Sequence, residues 1–261
     1  MGIIIKSEQE LALMRQAGRI NAQVLEALAQ AVRPGLTTGE LDRMARRLIR
    51  SAGATPAFLN YPHPIYPDSP YPAAINTSTN DELVHGIPGR RRLQDGDIIS
   101  IDCGTVYQGY VGDSALTLPV GRISEQAQRL IDVTAEALRR AIAACLPGNR
   151  LGDVSATIQE WVEGQGFHVV REYTGHGVGR NMHEDPSIPN WGKRNRGAVL
   201  RPGMTLALEP MVTVGPPELT VKADRWTVVT VDGSLCAHME HTVAVTDGAP
   251  EVLTLYNSSL G

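Results

Sequence analysis

Residues 7–53 read SEQELALMRQAGRINAQVLEALAQAVRPGLTTGELDRMARRLIRSAG. Two capping boxes, Ser7-x-x-Glu10 and Thr37-x-x-Glu40, each predict the start of a helix, because their side chains satisfy backbone amides that have no partner inside the helix. Behind each box apolar residues recur at helical spacing, and Pro34-Gly35 interrupts the pattern between them. The segment therefore predicts two helices joined by a short break.

The same pattern returns 113 positions later along the chain. The apolar positions of both helices coincide, and so do the helix breakers, in the pairs Pro34/Pro147, Gly35/Gly148 and Gly53/Gly166. Any two helical hairpins share Pro-Gly turns, but agreement of breakers and core faces together favours an internal repeat. We expect a single catalytic domain over residues 1–261, with repeat halves at roughly residues 7–120 and 121–250.

Between and after these helices the sequence has the alternation of β-strands. Strands are predicted in the segments 97–103, 106–120, 204–214, 226–231 and 236–245, with Asp232-Gly233 as a hairpin turn. Because the strands cluster rather than alternate with helices, the pattern favours an α+β fold with a largely antiparallel sheet. Five prolines within residues 61–74 exclude regular structure there and predict a surface loop.

Composition limits the classes of protein to which the chain can belong. Its 24 Lys and Arg against 28 Asp and Glu give a formal charge of −4, so neither DNA nor an anionic membrane is an expected partner. No apolar run approaches the roughly 18 residues of a membrane span, and the N-terminus lacks the pattern of a signal peptide. Three scattered cysteines, Cys103, Cys145 and Cys236, are typical of a reducing compartment. We expect a cytoplasmic protein.

Four carboxylates lie within apolar strand segments, where an unpaired charge is costly to bury. They are Asp102, Asp113, Glu209 and Glu240. A single buried carboxylate is usually satisfied by backbone amides or by an arginine, but these strands contain no matching buried bases. The pattern therefore favours a bound cation as the counter-charge.

A glycine-rich segment contributes a fifth candidate ligand. Residues 173–186, YTGHGVGRNMHEDP, surround His176 with glycines, so that its imidazole can stand exposed at a close-packed site. Four carboxylates and one imidazole suit Mn, Fe(II), Co or Zn better than a thiolate site would. Four negative charges balance two divalent ions, and two such ions can share and activate a water molecule. The set predicts hydrolytic chemistry at a centre of two metal ions.

These residues lie within blocks that resemble the type I methionine aminopeptidases. Residues 173–191 resemble the family signature, and further blocks are similar in order at 80–88, 95–102, 109–114, 204–211 and 239–242. The resemblance covers essentially the whole chain. It implies the pita-bread fold, a pseudo-twofold repeat of a helix pair plus antiparallel strands around a curved sheet. It also implies metal-dependent removal of the initiator methionine from nascent proteins with a small second residue.

The ligands of that family fall on the five residues already singled out. By resemblance, Asp113 and Glu240 would bridge the two metal ions. Asp102 would bind one ion, and His176 and Glu209 would bind the other.

The resemblance further implies catalytic and substrate-binding roles. His183 would contact the scissile carbonyl, His85 would hydrogen-bond the substrate beside that bond, and Glu209 would carry a proton from the nucleophile to the leaving amine. Three aromatic residues would line the methionine pocket, namely Trp226, Phe58 and Tyr61. Without the motifs, each histidine would be interpreted as an ordinary loop residue and Trp226 as a core aromatic.

Some positions depart from the family pattern. Val111, Met182 and His238 replace residues common there, and the loop 61–74 looks longer than usual. None of these differences falls on a predicted ligand.

Two other functions remain open at this point. A proline-specific peptidase of the same fold would share all five ligands, although such proteins normally carry a further N-terminal domain. A non-enzymatic module associated with the ribosome or RNA would have lost ligands, although the arginines at 43, 46, 47, 50 and 90–92 could contact rRNA. We expect the N-termini of nascent polypeptides as partners, with the ribosome as a further candidate, and a monomer.

Overall fold

The structure is a computed structural model that describes residues 2–256. Its four helices are α1 Glu8–Ala31, α2 Thr38–Ser51, α3 Glu125–Ala144 and α4 Leu151–Gly164. Both predicted capping boxes form, because the side chains of Ser7 and Thr37 accept from the backbone amides of Glu10 and Glu40, which return the contact. The predicted helix starts are therefore confirmed.

The second helix pair repeats the first at the predicted offset of 113 residues. Helices α2 and α4 have equivalent bounds at both ends, and α1 and α3 end at equivalent residues. Gly35 and Gly148 have φ angles of 88° and 92° after those ends. A side chain at either position would meet the steric penalty of the left-handed region, which explains the matched glycines.

Fifteen strands lie within residues 2–256, and every pairing between them is antiparallel. The strands are β1 Thr55–Pro56, β2 Ile75–Thr79, β3 Glu82–Val84, β4 Ile98–Tyr107, β5 Tyr110–Pro119, β6 His168–Val169, β7 Thr174–Gly177, β8 Glu184–Pro189, β9 Thr205–Leu208, β10 Met211–Thr213, β11 Leu219–Val221, β12 Val228–Thr230, β13 Cys236–His238, β14 Glu240–Ala244 and β15 Glu251–Val252. The predicted α+β class with an antiparallel sheet is confirmed.

A nine-stranded sheet forms the centre of the fold. Its strands follow the order β1-β4-β5-β14-β9-β7-β8, with β2 on β4 and β15 on β14. Two three-stranded sheets, β13-β10-β6 and β11-β12-β3, adjoin it. Strands from distant parts of the sequence therefore become neighbours in the middle of the large sheet.

The strand boundaries differ from the sequence prediction at three places. The boundary between the predicted segments 97–103 and 106–120 is displaced, because β4 extends to Tyr107 and forms a hairpin with β5 in which Tyr107 pairs with Tyr110. The predicted strands 204–214 and 236–245 are each divided in two, at Glu209-Pro210 and at Met239. At Glu209-Pro210 the chain passes from β9 of the large sheet to β10 of a smaller sheet, and at Met239 it passes from β13 of that smaller sheet into β14 of the large one. Two of the predicted ligands, Glu209 and Glu240, therefore lie where the chain changes sheets.

The predicted hairpin around Asp232-Gly233 is wrong. The chain does turn there, but β12 pairs with β11 and β3, whereas β13 pairs with β10 in another sheet. An Asp-Gly pair predicts that the chain turns, but it does not predict that the two flanking strands pair with each other. The partner of each strand depends on which of its faces is buried in the rest of the fold.

Helix α1 packs closely on the β4–β5 hairpin. At Gly112 an added Cβ would lie 2.7 Å from the backbone of Ala17, so only glycine allows this approach. The fully buried Asn21 binds both strands, donating from Nδ2 to the carbonyls of Cys103 and Gly112 and accepting from the hydroxyl of Ser114. These contacts fix the hairpin that carries two of the predicted ligands.

The proline-rich segment 61–74 contains no helix or strand, as predicted, and residues 63–69 are largely exposed, although Tyr71, Ala73 and Ala74 are buried. No helix of the described chain has both the length and the apolar character needed to cross a membrane.

Candidate active site

Three of the predicted ligands meet where the central strands adjoin. Asp113 lies on β5, Glu240 on β14 and His176 on β7, and one possible ligand atom from each lies within 4.8 Å of the others. The side chains are almost fully buried, with exposed fractions of 3%, 2% and 8%. The antiparallel order of the sheet, rather than proximity in sequence, brings these residues together.

The remaining two predicted ligands border this cluster. Glu209 follows β9, and its Oε1 lies 3.4 Å from Nε2 of His176. Asp102 lies on β4, where it pairs in register with Ala115 of β5 and with Asn76 of β2. All five side chains line one cavity of about 770 Å³.

The carboxylates are crowded and lack counter-charges within the described chain. Burial, together with the negative charges of neighbouring carboxylates, raises the pKa of Asp113 and of Glu240 well above the usual value. Burial raises the pKa of Asp102 to about 6. One oxygen of each of these three groups is buried and has no hydrogen-bond partner within residues 2–256. Such orphaned acceptors are costly unless a cation occupies the space between them.

The lysine and arginine side chains that line the cavity do not supply this charge. Lys222 pairs with Glu82 at 2.7 Å, and Arg225 pairs with Asp68 at 3.4 Å. The negative centre of the cavity is therefore not neutralised by the side chains that the structure describes.

His176 is oriented as a ligand. Its Nδ1 donates a hydrogen bond of 2.9 Å to the carbonyl of Gly177, so a neutral ring directs the lone pair of Nε2 at the carboxylates. Nε2 lies 4.0 Å from Oδ2 of Asp113 and 3.4 Å from Glu209. A lone pair facing two carboxylates is unfavourable unless a cation lies between them, so these residues fit a divalent metal ion.

The two other predicted histidines line the same cavity. Nδ1 of His183 lies 2.7 Å from the hydroxyl of Tyr61, and its ring centroid lies 4.3 Å from that of His176. His85 has a φ of 60°, an uncommon conformation for a residue other than glycine that often accompanies function. Burial lowers the pKa of both His85 and His183 to about 4, so both imidazoles are neutral at pH 7.

The predicted aromatic residues form the apolar wall. Trp226 is 8% exposed and packs edge to face on Tyr71 at 5.1 Å and on His63 at 4.6 Å, and Phe58 and Tyr61 pack beside it. The indole donates to the carbonyl of Ser69 at 2.9 Å. Trp226 therefore joins the cavity to the proline-rich loop.

Sequence reasoning missed several residues of this site. Asn76 donates to Oδ2 of Asp102 at 2.6 Å and so orients that carboxylate, and its place directly after the buried Ile75 was the available signal. Tyr71 and His63 lie in the proline-rich loop, which has no periodicity from which a pocket wall can be predicted. His238, by contrast, is singled out in the sequence as a departure from the family pattern, and the structure places its Nε2 3.4 Å from Oε2 of Glu209.

Comparison with known proteins agrees with this geometry. The profile of metallopeptidase family M24 matches residues 12–247. The chain is 50% identical over 252 residues to methionine aminopeptidase 1 of Bacillus subtilis, an alignment that covers 97% of this chain and 99% of that one.

Solved structures give the same result. The methionine aminopeptidase of Thermotoga maritima superposes with a TM-score of 0.93 at 46% identity, covering 97% of this chain and 99% of that one. A prolidase of Pyrococcus horikoshii has a TM-score of 0.78 at 22% identity, covering 99% of this chain but 65% of that one, so it shares the fold alone. These matches confirm the expected pita-bread fold.

Proposed function

The chain belongs to metallopeptidase family M24, and from this premise we propose that it removes the initiator methionine from nascent polypeptides with a small second residue. The observation that carries the proposal is the meeting of the Asp113, His176 and Glu240 ligand atoms in a cavity that Trp226 also lines. A hydrolytic centre and an apolar pocket for one side chain are the two parts that such a reaction needs.

The metal centre is proposed to hold two divalent ions, Mn, Fe(II), Co or Zn. The ions would be held by the four carboxylates and the one imidazole that line the cavity, namely Asp102, Asp113, Glu209, Glu240 and His176. The orphaned oxygens of the three buried carboxylates support this assignment. When bound, such ions lower the pKa of a water molecule and polarise the scissile carbonyl.

His183 is proposed to donate a hydrogen bond to the carbonyl oxygen of the scissile bond. If the Tyr61 hydroxyl donates to Nδ1 of His183, the neutral ring carries its proton on Nε2, where it can stabilise the negative charge that develops on that oxygen. The pKa of about 4 supports this role, because a neutral imidazole keeps one donor at a fixed atom. His85 is proposed to hydrogen-bond the substrate beside the same bond.

Glu209 is proposed to carry a proton from the attacking water to the leaving amine. Its two oxygens lie beside different imidazoles, 3.4 Å from His176 and 3.4 Å from His238, so the carboxylate is held at the edge of the cluster. A group in this position can accept a proton on one side of the reacting centre and deliver it on the other.

The methionine side chain is proposed to lie against Trp226, Phe58 and Tyr61. Aromatic faces and edges make favourable contacts with a thioether, and an unbranched side chain fills an irregular apolar pocket well. The alternative of a proline-specific peptidase rests on fold likeness alone, since the prolidase match has 22% identity.

From the proposed function we further propose that the protein is cytoplasmic and monomeric, and that it acts on polypeptides while they are being synthesised. The three cysteines are free and buried, as suits a reducing compartment. We propose one catalytic domain over residues 1–261, of which residues 2–256 are described. Contact with the ribosome remains a further proposal.

The test is a peptide assay on chelator-stripped protein to which Mn or Co is restored, comparing Met-Ala-Ser, Met-Lys-Ser and Ala-Pro-Ala. We expect metal-dependent release of methionine from the first peptide alone. Glu209→Gln should abolish turnover with an unchanged circular dichroism spectrum. Cleavage of only the proline peptide would move the protein to the prolidase-like branch, and undiminished activity of Glu209→Gln would remove that residue from the mechanism.

A further inference from the structure

The mouth of the cavity has an exposed apolar border. Ile65 and Tyr66 from the loop 61–74, and Val221 at the end of β11, all line the cavity while remaining 71%, 40% and 50% exposed. Large apolar side chains exposed together beside a cavity are typical of a binding surface. We call these three residues the rim.

Two of the three rim residues, Ile65 and Tyr66, are held in place by the imidazole of His63. Its Nδ1 accepts from the backbone amides of Ile65 and Tyr66, both at 3.0 Å. Because Nδ1 accepts, Nε2 carries the proton of a neutral ring and donates to the carbonyl of Arg225 at 2.9 Å. The His63 ring also packs on Trp226, so the turn that carries Ile65 and Tyr66 is fixed to the pocket wall.

The charged groups around the mouth are already paired. Lys222 binds Glu82, and Arg225 binds Asp68 and lies 4.5 Å over the ring of Tyr66. Because both cations are paired, neither Lys222 nor Arg225 is free to bind a charged ligand at the mouth. The mouth can therefore bind a ligand through apolar contacts.

We propose that the rim binds apolar side chains of the substrate polypeptide after its second residue, with His63 as the residue that positions Ile65 and Tyr66 within it. The inference rests on the proposed function. A polypeptide whose first residue lies against Trp226 must leave through the mouth, because the rest of the chain does not fit inside. The rim is continuous with the cavity and lies where the following residues emerge.

The test compares KM for two peptides that differ only after the second residue, Met-Ala-Leu-Leu-Lys and Met-Ala-Ser-Ser-Lys. For the unmodified enzyme we expect KM about fivefold lower for the leucine peptide, because partial burial of leucine side chains is favourable. The triple variant Ile65→Ser/Tyr66→Ser/Val221→Ser should bring the ratio of the two KM values close to one. The effect belongs in KM, since the rim contacts ground state and transition state equally.

Matched controls use exposed apolar residues that do not line the cavity. Val231 and Leu255 are 62% and 68% exposed, and Val231→Ser/Leu255→Ser should keep the fivefold ratio. For His63, the variant His63→Leu should bring the ratio of the two KM values close to one. His63→Asn should retain most of it, because an asparagine oxygen can accept from the same backbone amides.

The outcomes separate the two proposals. Release of methionine with equal KM for both peptides, or a ratio that survives the triple variant, would overturn the rim while leaving the proposed function intact. Failure of the unmodified, metal-restored enzyme to release methionine from any peptide would overturn the proposed function, and the rim with it.

Discussion

Replacing Lys6 by methionine should destabilise the protein far more than a surface change would. Nζ of Lys6 lies 2.5 Å from Oε2 of Glu184, and both side chains are only 3% exposed. The other oxygen of Glu184 accepts from the amide of Asn181 at 3.2 Å. The pair therefore ties the segment before α1 to the loop that carries His183.

The magnitude follows from burial. Removing one partner of a buried ion pair leaves an uncompensated charge and costs about 3–5 kcal/mol. A matched comparison is Arg194 with Glu160, which is almost as short at 2.6 Å but has side chains 49% and 60% exposed. Exposed pairs contribute about 0–1 kcal/mol, so Arg194→Met should change the free energy of unfolding by no more than that.

Urea unfolding followed by circular dichroism measures both variants under the same conditions. The double variant Lys6→Met/Glu184→Met should recover most of the stability that Lys6→Met loses, because an apolar pair leaves no buried charge. A cost below about 1 kcal/mol for Lys6→Met, equal to that of Arg194→Met, would refute the argument from burial.

Three further predictions concern other parts of the molecule. Asn21→Leu leaves the groups that Asn21 binds on β4 and β5 without a partner, so it should lower the free energy of unfolding by about 3 kcal/mol and Tm by about 6–12 °C in calorimetry. An unchanged Tm would show that these hydrogen bonds are dispensable. Hydrogen bonds from the amide of Ser7 and the hydroxyl of Tyr110 lower the pKa of Glu10 to about 2. Its ionised carboxylate therefore contributes fully to the stability of the fold above about pH 4.5, and this contribution is lost as the pH falls through about 2. Glu10→Gln should therefore cost about 1 kcal/mol in urea unfolding at pH 6 and progressively less towards pH 2, whereas a constant difference would exclude the ionised carboxylate as the cause. Adding Mn²⁺ to chelator-stripped protein at about 100 times its Kd should add about 2.7 kcal/mol of stability in a thermal shift assay. Asp113→Asn should abolish that response and should itself stabilise the metal-free protein, since it removes one crowded charge; a full response by the variant would exclude Asp113 as a ligand.

The helices and the ligand candidates could be predicted from the sequence because each has a local signal. A capping box such as Ser7-x-x-Glu10 satisfies its amides within four residues, and a carboxylate such as Asp102 or Glu240 is conspicuous inside an apolar strand. Neither inference needs knowledge of the strand partners.

Strand pairing and the pocket wall could not be predicted in the same way. The turn at Asp232-Gly233 has the chemistry of a hairpin, yet β12 finds its partners in β11 and β3. The position of Tyr66 depends on a bond from its amide to His63 and on a guanidinium over its ring. Such contacts join single residues without periodicity, so nothing in the pattern of the sequence anticipates them.

The position of β14 has a consequence for how the protein is made. This strand, which begins with Glu240, lies in the middle of the large sheet between β5 and β9. During synthesis the edges of β5 and β9 must remain open until residue 244 has been added. At a translation rate of about 5–20 residues per second, β14 is synthesised on the order of ten seconds after β5. The large sheet is therefore completed only near the end of translation, and until then the unpaired edges of β5 and β9 are available to other strands. This is the interval in which we expect the nascent chain to depend most on chaperones.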